Sequence, residues 1–157
     1  MKIQKSSRHS RITGDFGELL VLYLLSKTGF ECARIDHTGI DLVARRPRSS
    51  ELMGISVKSR SRTKGTEGTH INVRKDHIDK VQAACRTFKC RPYIAFVVDE
   101  ADKIRVLIIS VQHMLKIRPG GPKVAAWSMS DNELQRYRNN KNIMWLELGL
   151  HEGRWWR

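Results

Sequence analysis

Three features of this sequence predict an α/β fold in which helices flank a mixed β-sheet. Two β-branched runs, Thr38 to Ala44 and Met53 to Lys58, lie on either side of a turn-like segment with Pro47, Ser49 and Ser50, and so read as a strand hairpin. Ile78, Val81, Ala84, Cys85 and Phe88 recur at helical spacing. From Pro92 to Val98 the chain is continuously apolar, the mark of a strand buried on both faces. A strand–helix–strand order of this kind usually closes right-handed and parallel, which lays the helix against the sheet.

The elements follow in order. Residues 1–12 are polar and basic without a period and read as a flexible arm. Thr13 offers an N-cap, and Phe16, Leu19, Leu20, Tyr23 and Leu24 have the spacing of a buried helix face that ends at Gly29. A short strand from Phe30 to Ile35 and a turn over Asp36 to Gly39 lead into the hairpin. Ser59 to Gly68 has almost no apolar residue and reads as a mobile basic loop. A strand over His70 to Val73 precedes the Ile78 helix, which opens at Lys75 or Asp76. After the apolar strand, Asp99 to Lys103 turns the chain and Ile104 to Ser110 returns as another strand. Residues 13–115 form the core, and 116–157 an extension packed on the same domain. In that extension Gly120 to Pro122 marks a loop, Ser130 to Glu133 has capping-box spacing, and Ile143 to Leu148 reads as a last strand. Trp155 and Trp156, in a basic tail, suit packing on the core or stacking on bases.

A chain of 157 residues suits one domain. Its formal net charge of +13, from 29 Lys and Arg against 16 Asp and Glu, makes a polyanion the expected partner. DNA is the leading one. The basic residues cluster in the arm, at Lys2, Lys5, Arg8 and Arg11, and around the hairpin, at Arg45, Arg46, Arg48, Arg60, Arg62 and Lys64. Of these, Arg8, Arg11, Arg45, Arg46, Arg60, Arg62 and Lys64 are the candidate DNA contacts. No stretch approaches the roughly 18 apolar residues that a membrane span needs, and no secretory h-region follows Met1, so no membrane partner and a cytoplasmic location are expected. Three cysteines without a Cys-x-x-Cys pair point to free thiols, and six histidines without His-x-x-x-His spacing argue against a His-built zinc site.

Asp41 is embedded in the first hairpin run and Lys58 ends the second, so pairing the strands brings a carboxylate and an ammonium to one edge. Glu18 lies in the first helix beside its apolar stripe. Together with Gly14-Asp-Phe-Gly-Glu18, Gly39-Ile-Asp41-Leu-Val-Ala, Ile55-Ser-Val-Lys58-Ser, Asn72-Val-Arg-Lys-Asp-His and Pro92-Tyr-Ile-Ala-Phe, the element order resembles the PD-(D/E)xK nuclease superfamily. Within it the chain is most similar to the archaeal-type Holliday junction resolvases, over roughly residues 11 to 110. The resemblance implies a restriction-endonuclease-like mixed β-sheet flanked by helices. It also implies a Mg²⁺- or Mn²⁺-dependent DNA endonuclease, structure-specific for branched DNA as in the junction resolvases, with a place in DNA recombination and repair. By position, Glu18, Asp41 and the Val57 carbonyl would be metal ligands, and Lys58 would position or activate the attacking water. A two-fold homodimer is implied as well, since a four-way junction offers two symmetric scissile sites.

Two departures stand out. Ile40 replaces the motif proline, a common loss in this superfamily. Ser56 stands where the motif has an acid, which removes one negative charge and one strong oxygen ligand from the catalytic set of Lys58, Asp41, Glu18 and Ser56. Asp36, Glu51 and Glu67 are nearby candidates for a replacement carboxylate. Two readings follow: a metal nuclease with a rearranged site, or a catalytically weakened or inactive DNA-binding protein on the nuclease fold.

Overall fold

The computed structural model describes residues 5–63, 65–66, 68–100, 102–121 and 123–150. The chain runs α1 (His9–Lys27), β1 (Glu31–His37), β2 (Ile40–Arg45), β3 (Leu52–Ser61), β4 (Ile71–Arg74), α2 (Lys75–Thr87), β5 (Arg91–Asp99), β6 (Lys103–Ser110), α3 (Val111–Ile117), β7 (Val124–Trp127), α4 (Asp131–Arg138) and β8 (Ile143–Gly149). Six strands form one sheet in the order β1-β2-β3-β5-β6-β8, while β4 and β7 form a separate two-stranded ribbon. β3 and β5 pair in parallel across the α2 crossover, and the other neighbours are antiparallel, so the sheet is mixed as expected.

Each face of the sheet has its own core. On one, Val21, Leu24 and Leu25 of α1 cover Leu42, Ile55, Ala95 and Val106. On the other, α2, α3, α4 and the ribbon cover Ile94, Phe96 and Val98. β5 therefore sends alternate side chains into both cores, the burial its unbroken apolar run requires. Trp127 stacks between Phe96 and Tyr137, with centroid separations of 5.3 and 4.3 Å, and ties β7 and α4 to the sheet.

Several elements differ from expectation. α1 begins at His9 with Arg8 as N-cap, so residues 9–12 are helix rather than arm. Thr13 does not cap: its hydroxyl donates to the His9 carbonyl at 2.8 Å. The buried face of α1 is Gly17, Val21, Leu24 and Leu25, whereas Phe16, Leu19 and Tyr23 are 42%, 50% and 58% exposed. Both stripes have helical spacing, and Gly17 decides between them. A Cβ there would collide with Ser59 Oγ, so the missing side chain is what lets this face settle on β3. β3 extends to Ser61, which makes Ser59 to Ser61 strand rather than loop. Phe88, at the end of α2, is exposed. Ser130 is the N-cap residue of α4 but makes no side-chain capping bond. Neither α3 nor β7 was expected; each is short, and Ser110 caps α3 by accepting from the His113 N–H at 3.2 Å. Lys2, Lys64, Glu67, Trp155 and Trp156 lie outside the described residues.

The β2–β3 turn is fastened by Glu51. Its carboxylate accepts from Tyr93 Oη at 2.8 Å, Arg46 Nε at 2.9 Å and Arg91 Nη1 at 3.3 Å. Burial opposes the charge, but Tyr93, Arg46 and Arg91 outweigh it and hold the carboxyl below its ordinary value of 4.5. Glu51→Ala is expected to cost about 1–2 kcal/mol, because the hydrogen bonds to charged groups are lost and the pairs are partly solvated. With a folded pKa below the unfolded one, this contribution is complete above the ordinary carboxylate pKa and is lost as pH falls through the depressed value. Wild type and Glu51→Ala should therefore differ in urea midpoint at pH 7 and converge in strong acid.

Candidate active site

β2 begins where it does because Gly39 takes a φ of +110°, closing the β1–β2 turn and aiming the next residues along the sheet. Asp41 follows, beside β3. Its Oδ2 accepts from the Val57 N–H at 2.6 Å and from Ser56 Oγ at 3.2 Å. The same Ser56 Oγ lies 2.9 Å from Nε2 of His77, the third residue of α2. Ser56 has a single hydroxyl proton and Asp41 in its ionised form only accepts, so the chain runs imidazole N–H to hydroxyl to carboxylate. Burial, then the Lys58 ammonium, push His77 below its ordinary value of 6.5 against the pull of Asp41, which leaves the ring neutral at pH 7.

Lys58 lies two residues beyond Ser56 on the same face of β3. Burial pushes its pKa down; Arg60 adds to this, and the carboxylates of Asp41 and Glu18 oppose it. Glu18 reaches the site from α1, and its Oε2 meets Arg34 Nη2 at 2.6 Å. Glu18, Arg34, Ile35, Asp36, His37 and Asp41 line one open cleft. Glu18 and Asp41 thus share the cleft, Ser56 and the Val57 N–H bind Asp41, and Lys58 lies within electrostatic reach of both carboxylates. Of the candidate replacement acids, Asp36 lines the cleft, whereas Glu51 is bound at the hairpin turn.

No family model matches the sequence, and no curated protein is significantly similar to it. Among solved structures, Hjc, a Holliday junction resolvase from the archaeal hyperthermophile Archaeoglobus fulgidus, superposes with a TM-score of 0.55 at 21% identity, over 77% of this chain and 93% of that one. This chain has a PD-(D/E)xK nuclease-like fold. A restriction endonuclease in complex with substrate DNA aligns over 92% of this chain and 73% of that one, at 13% identity and a TM-score of 0.40, too loosely to add to this.

On the nuclease fold the basic residues divide into two groups. Lys5 Nζ donates to the Ser61 carbonyl at 2.9 Å, and Lys5, Ser6, His9, Ser59 and Arg60 line one groove at the start of α1. Arg8 and Arg11 are exposed on that same end of α1, and Arg60 is exposed on β3. Arg62 is half-buried, its Nη2 donating to the Thr69 and His70 carbonyls at 2.9 and 3.3 Å. Arg45 and Arg46 belong to the opposite end of the hairpin, four and five residues beyond Asp41. Arg46 is paired with Glu51 and lies over the Phe30 ring. The hairpin arginines therefore do not form one patch with Arg60 and Arg62, because antiparallel pairing sends the turn away from the end of β3.

Among the described residues, no three His, Cys, Asp or Glu side chains gather closely enough to hold a metal ion by themselves. The donors present fit one hydrated, hard cation held by one or two carboxylates and waters. Asp41 takes both the Val57 N–H and the Ser56 hydroxyl on Oδ2, and its carboxylate lines the cleft. The Val57 carbonyl shares a strand edge with the N–H that binds Asp41. Glu18 is tied to Arg34 only by a partly solvated pair, worth at most about 1 kcal/mol, which a cation or a phosphate readily breaks. Sequence reasoning did not reach His77 and Arg34. His77 is 21 residues from Ser56 and carries no local signal; the only hint was that a serine replacing an acid needs a polar partner from elsewhere.

Proposed function

We propose that this chain is a divalent-cation-dependent DNA endonuclease acting on branched DNA, working in the cytoplasm as a homodimer in recombination or repair. The observation that carries the reading is that Asp41 and Glu18 line one open cleft of a nuclease-like fold, with the half-buried Lys58 close enough to feel both carboxylates. Glu18, Asp41 and the Val57 carbonyl would hold Mg²⁺ or Mn²⁺, which when bound lowers the pKa of its water and stabilises charge building on phosphorus. Lys58 orients the attacking water, and its depressed pKa brings it nearer to accepting a proton near neutral pH. Ser56 and the Val57 N–H fix the Asp41 carboxylate. Arg34, once released from Glu18, and Arg60 would bind phosphate oxygens. The groove at Lys5 and Arg60, with Arg8 and Arg11 exposed at the same end of α1, would track the backbone.

The second reading, DNA binding without cleavage, is favoured by Ser56, which supplies no charge where the motif has an acid. Incubating the purified chain with branched, duplex and single-stranded DNA in Mg²⁺ or Mn²⁺ separates the two. Cleavage of branched DNA is expected under the first reading. Ser56→Glu places a second carboxylate beside Asp41, so it should lower stability without metal, enlarge the rise in Tm on adding Mg²⁺, and increase cleavage. If neither protein cuts any of the three substrates, the enzyme reading is wrong. DNA affinity should fall steeply with added salt as counterion release is suppressed, and a flat response would remove both nucleic-acid readings.

A further inference from the structure

The turn between α2 and β5 brings two thiols together over the one residue of β3 that has no side chain. α2 ends in a Schellman turn: the Cys90 N–H donates to the Cys85 carbonyl at 2.9 Å, the Lys89 N–H to the Arg86 carbonyl at 3.3 Å, and Lys89 takes a φ of +51°. That motif sets the third residue from the helix end against the second residue past the cap, here Cys85 against Cys90. The same motif closes α1, where apolar Leu25 and Phe30 hold these two positions, so the turn itself does not call for thiols. Through standard bond lengths, the hydrogen bond from Cys90 to Cys85 holds their Cα atoms within about 7 Å, the span a disulfide tolerates. Gly54 makes the room. A Cβ there would lie 2.6 Å from the Sγ of each cysteine, so the sulfurs flank one point and are at most about 5 Å apart. We propose that Cys85 and Cys90 are a dithiol modification site, which a peroxide oxidises to an intramolecular disulfide. This does not depend on the nuclease reading.

The two thiols differ in reach. Cys85 is 2% exposed and its S–H donates to the Gly54 carbonyl at 3.8 Å, whereas Cys90 is half-buried. Burial, then the Cys90 thiol beside it, push Cys85 up to about 12, so it stays protonated at neutral pH. Cys90 is therefore the sulfur that a peroxide meets first. As the thiolate it attacks one oxygen of hydrogen peroxide; the O–O bond breaks, and the departing hydroxide becomes water with the proton that Cys90 gave up. Cys90 is then a sulfenic acid. The Cys85 sulfur attacks the Cys90 sulfur, the S–O bond breaks, and the hydroxyl leaves with the Cys85 proton as a second water. Two thiols have lost two electrons, and one peroxide has become two waters. The raised pKa of Cys85 slows its attack, and its fixed place against Cys90 offsets this. Cys32 takes no part: it packs in the core on the α1 face of the sheet, whereas Cys85 and Cys90 lie in the core on the α2 face.

The test treats the reduced full chain with hydrogen peroxide, blocks the remaining thiols with N-ethylmaleimide in denaturant, and measures the intact mass. The monomer should lose two hydrogen atoms and take up a single maleimide, on Cys32. Trypsin without reductant should release Val81–Arg86 joined to Cys90–Lys103, and dithiothreitol should separate them. Cys90→Ser, at the half-buried position, should abolish the disulfide and leave Cys85 reduced. Cys85→Ser takes away the partner of Cys90, which should then gain oxygen as a sulfinic or sulfonic acid. Cys32→Ser should oxidise as the wild type does. Oxygen gain on Cys90 in the wild type with Cys85 still free, a bond to Cys32, or a disulfide that survives in Cys90→Ser would each overturn the proposal. So would a wild type that keeps all its thiols under peroxide.

Discussion

On the proposed endonuclease reading, Asp41→Asn is expected to reduce phosphodiester cleavage by at least ~10³-fold while leaving the fold in place. The substitution keeps an oxygen able to accept from the Val57 N–H at 2.6 Å, so the β2–β3 contact survives. What it removes is the negative charge. Among the three carboxylates that line the cleft, Asp41 is held by the Val57 N–H and the Ser56 hydroxyl, whereas Glu18 is paired with Arg34. Without that charge the site cannot offset a divalent cation, and a loss of about 4 kcal/mol in transition-state stabilisation corresponds to about three orders of magnitude in rate. Lys58 also loses the carboxylate that holds its pKa up against burial, so the fall in its pKa should deepen. Single-turnover cleavage of a branched substrate gives the rate, and a thermal melt tests that the protein remains folded. DNA binding should persist, since a negative charge beside the phosphate path has been removed. A variant that cuts at the wild-type rate would show that Asp41 is not part of the machinery.

Gly39→Ala should have the largest effect on stability, about 3 kcal/mol. Two costs combine at this residue. Its φ of +110° lies where an L side chain is strained, and the added Cβ would stand 2.6 Å from the Lys80 carbonyl oxygen and 2.8 Å from its carbon. Those atoms belong to the backbone of α2 and cannot rotate aside, so turn and helix must separate and the core under Val81 must open. For a domain of this size the Tm should fall by roughly 6–12 °C. Gly14→Ala is the contrasting case. Gly14 lies inside α1 with nothing within 4 Å of an added Cβ, so alanine should be neutral or stabilising by up to ~1 kcal/mol. Equal melting temperatures for the two variants would refute this account of the turn.

Much of the architecture was legible in the chain because it is written in local periodicity. The hairpin, the α2 stripe and the β5 run were each recognisable within about twenty residues or fewer. The errors arose where two local patterns competed. α1 has two apolar stripes, and helical spacing alone does not say which one meets the sheet; Gly17 resolves the matter only when Ser59 is known to lie opposite. The capping-box spacing at Ser130 was present, but the serine hydroxyl makes no capping bond. The segment between β6 and β8 held a seven-residue helix and a four-residue strand, too short for a period to emerge.

The candidate site divides along the same line. Asp41, Lys58 and Glu18 could be singled out from the residues themselves, because a charged group inside or beside an apolar run is costly unless it serves a purpose. The sequence also determined that Ser56 brings no charge. What supplies a polar partner to Ser56 was decided only by the tertiary structure, which carries His77 in on the crossover helix between two parallel strands. A parallel pair demands a long connection, so residues that meet across it are far apart in the chain and share no spacing. The same reason separates the basic residues: composition established how many there are, while antiparallel pairing placed Arg46 on Glu51 at one end of the hairpin and left Arg60 beside the start of α1 at the other.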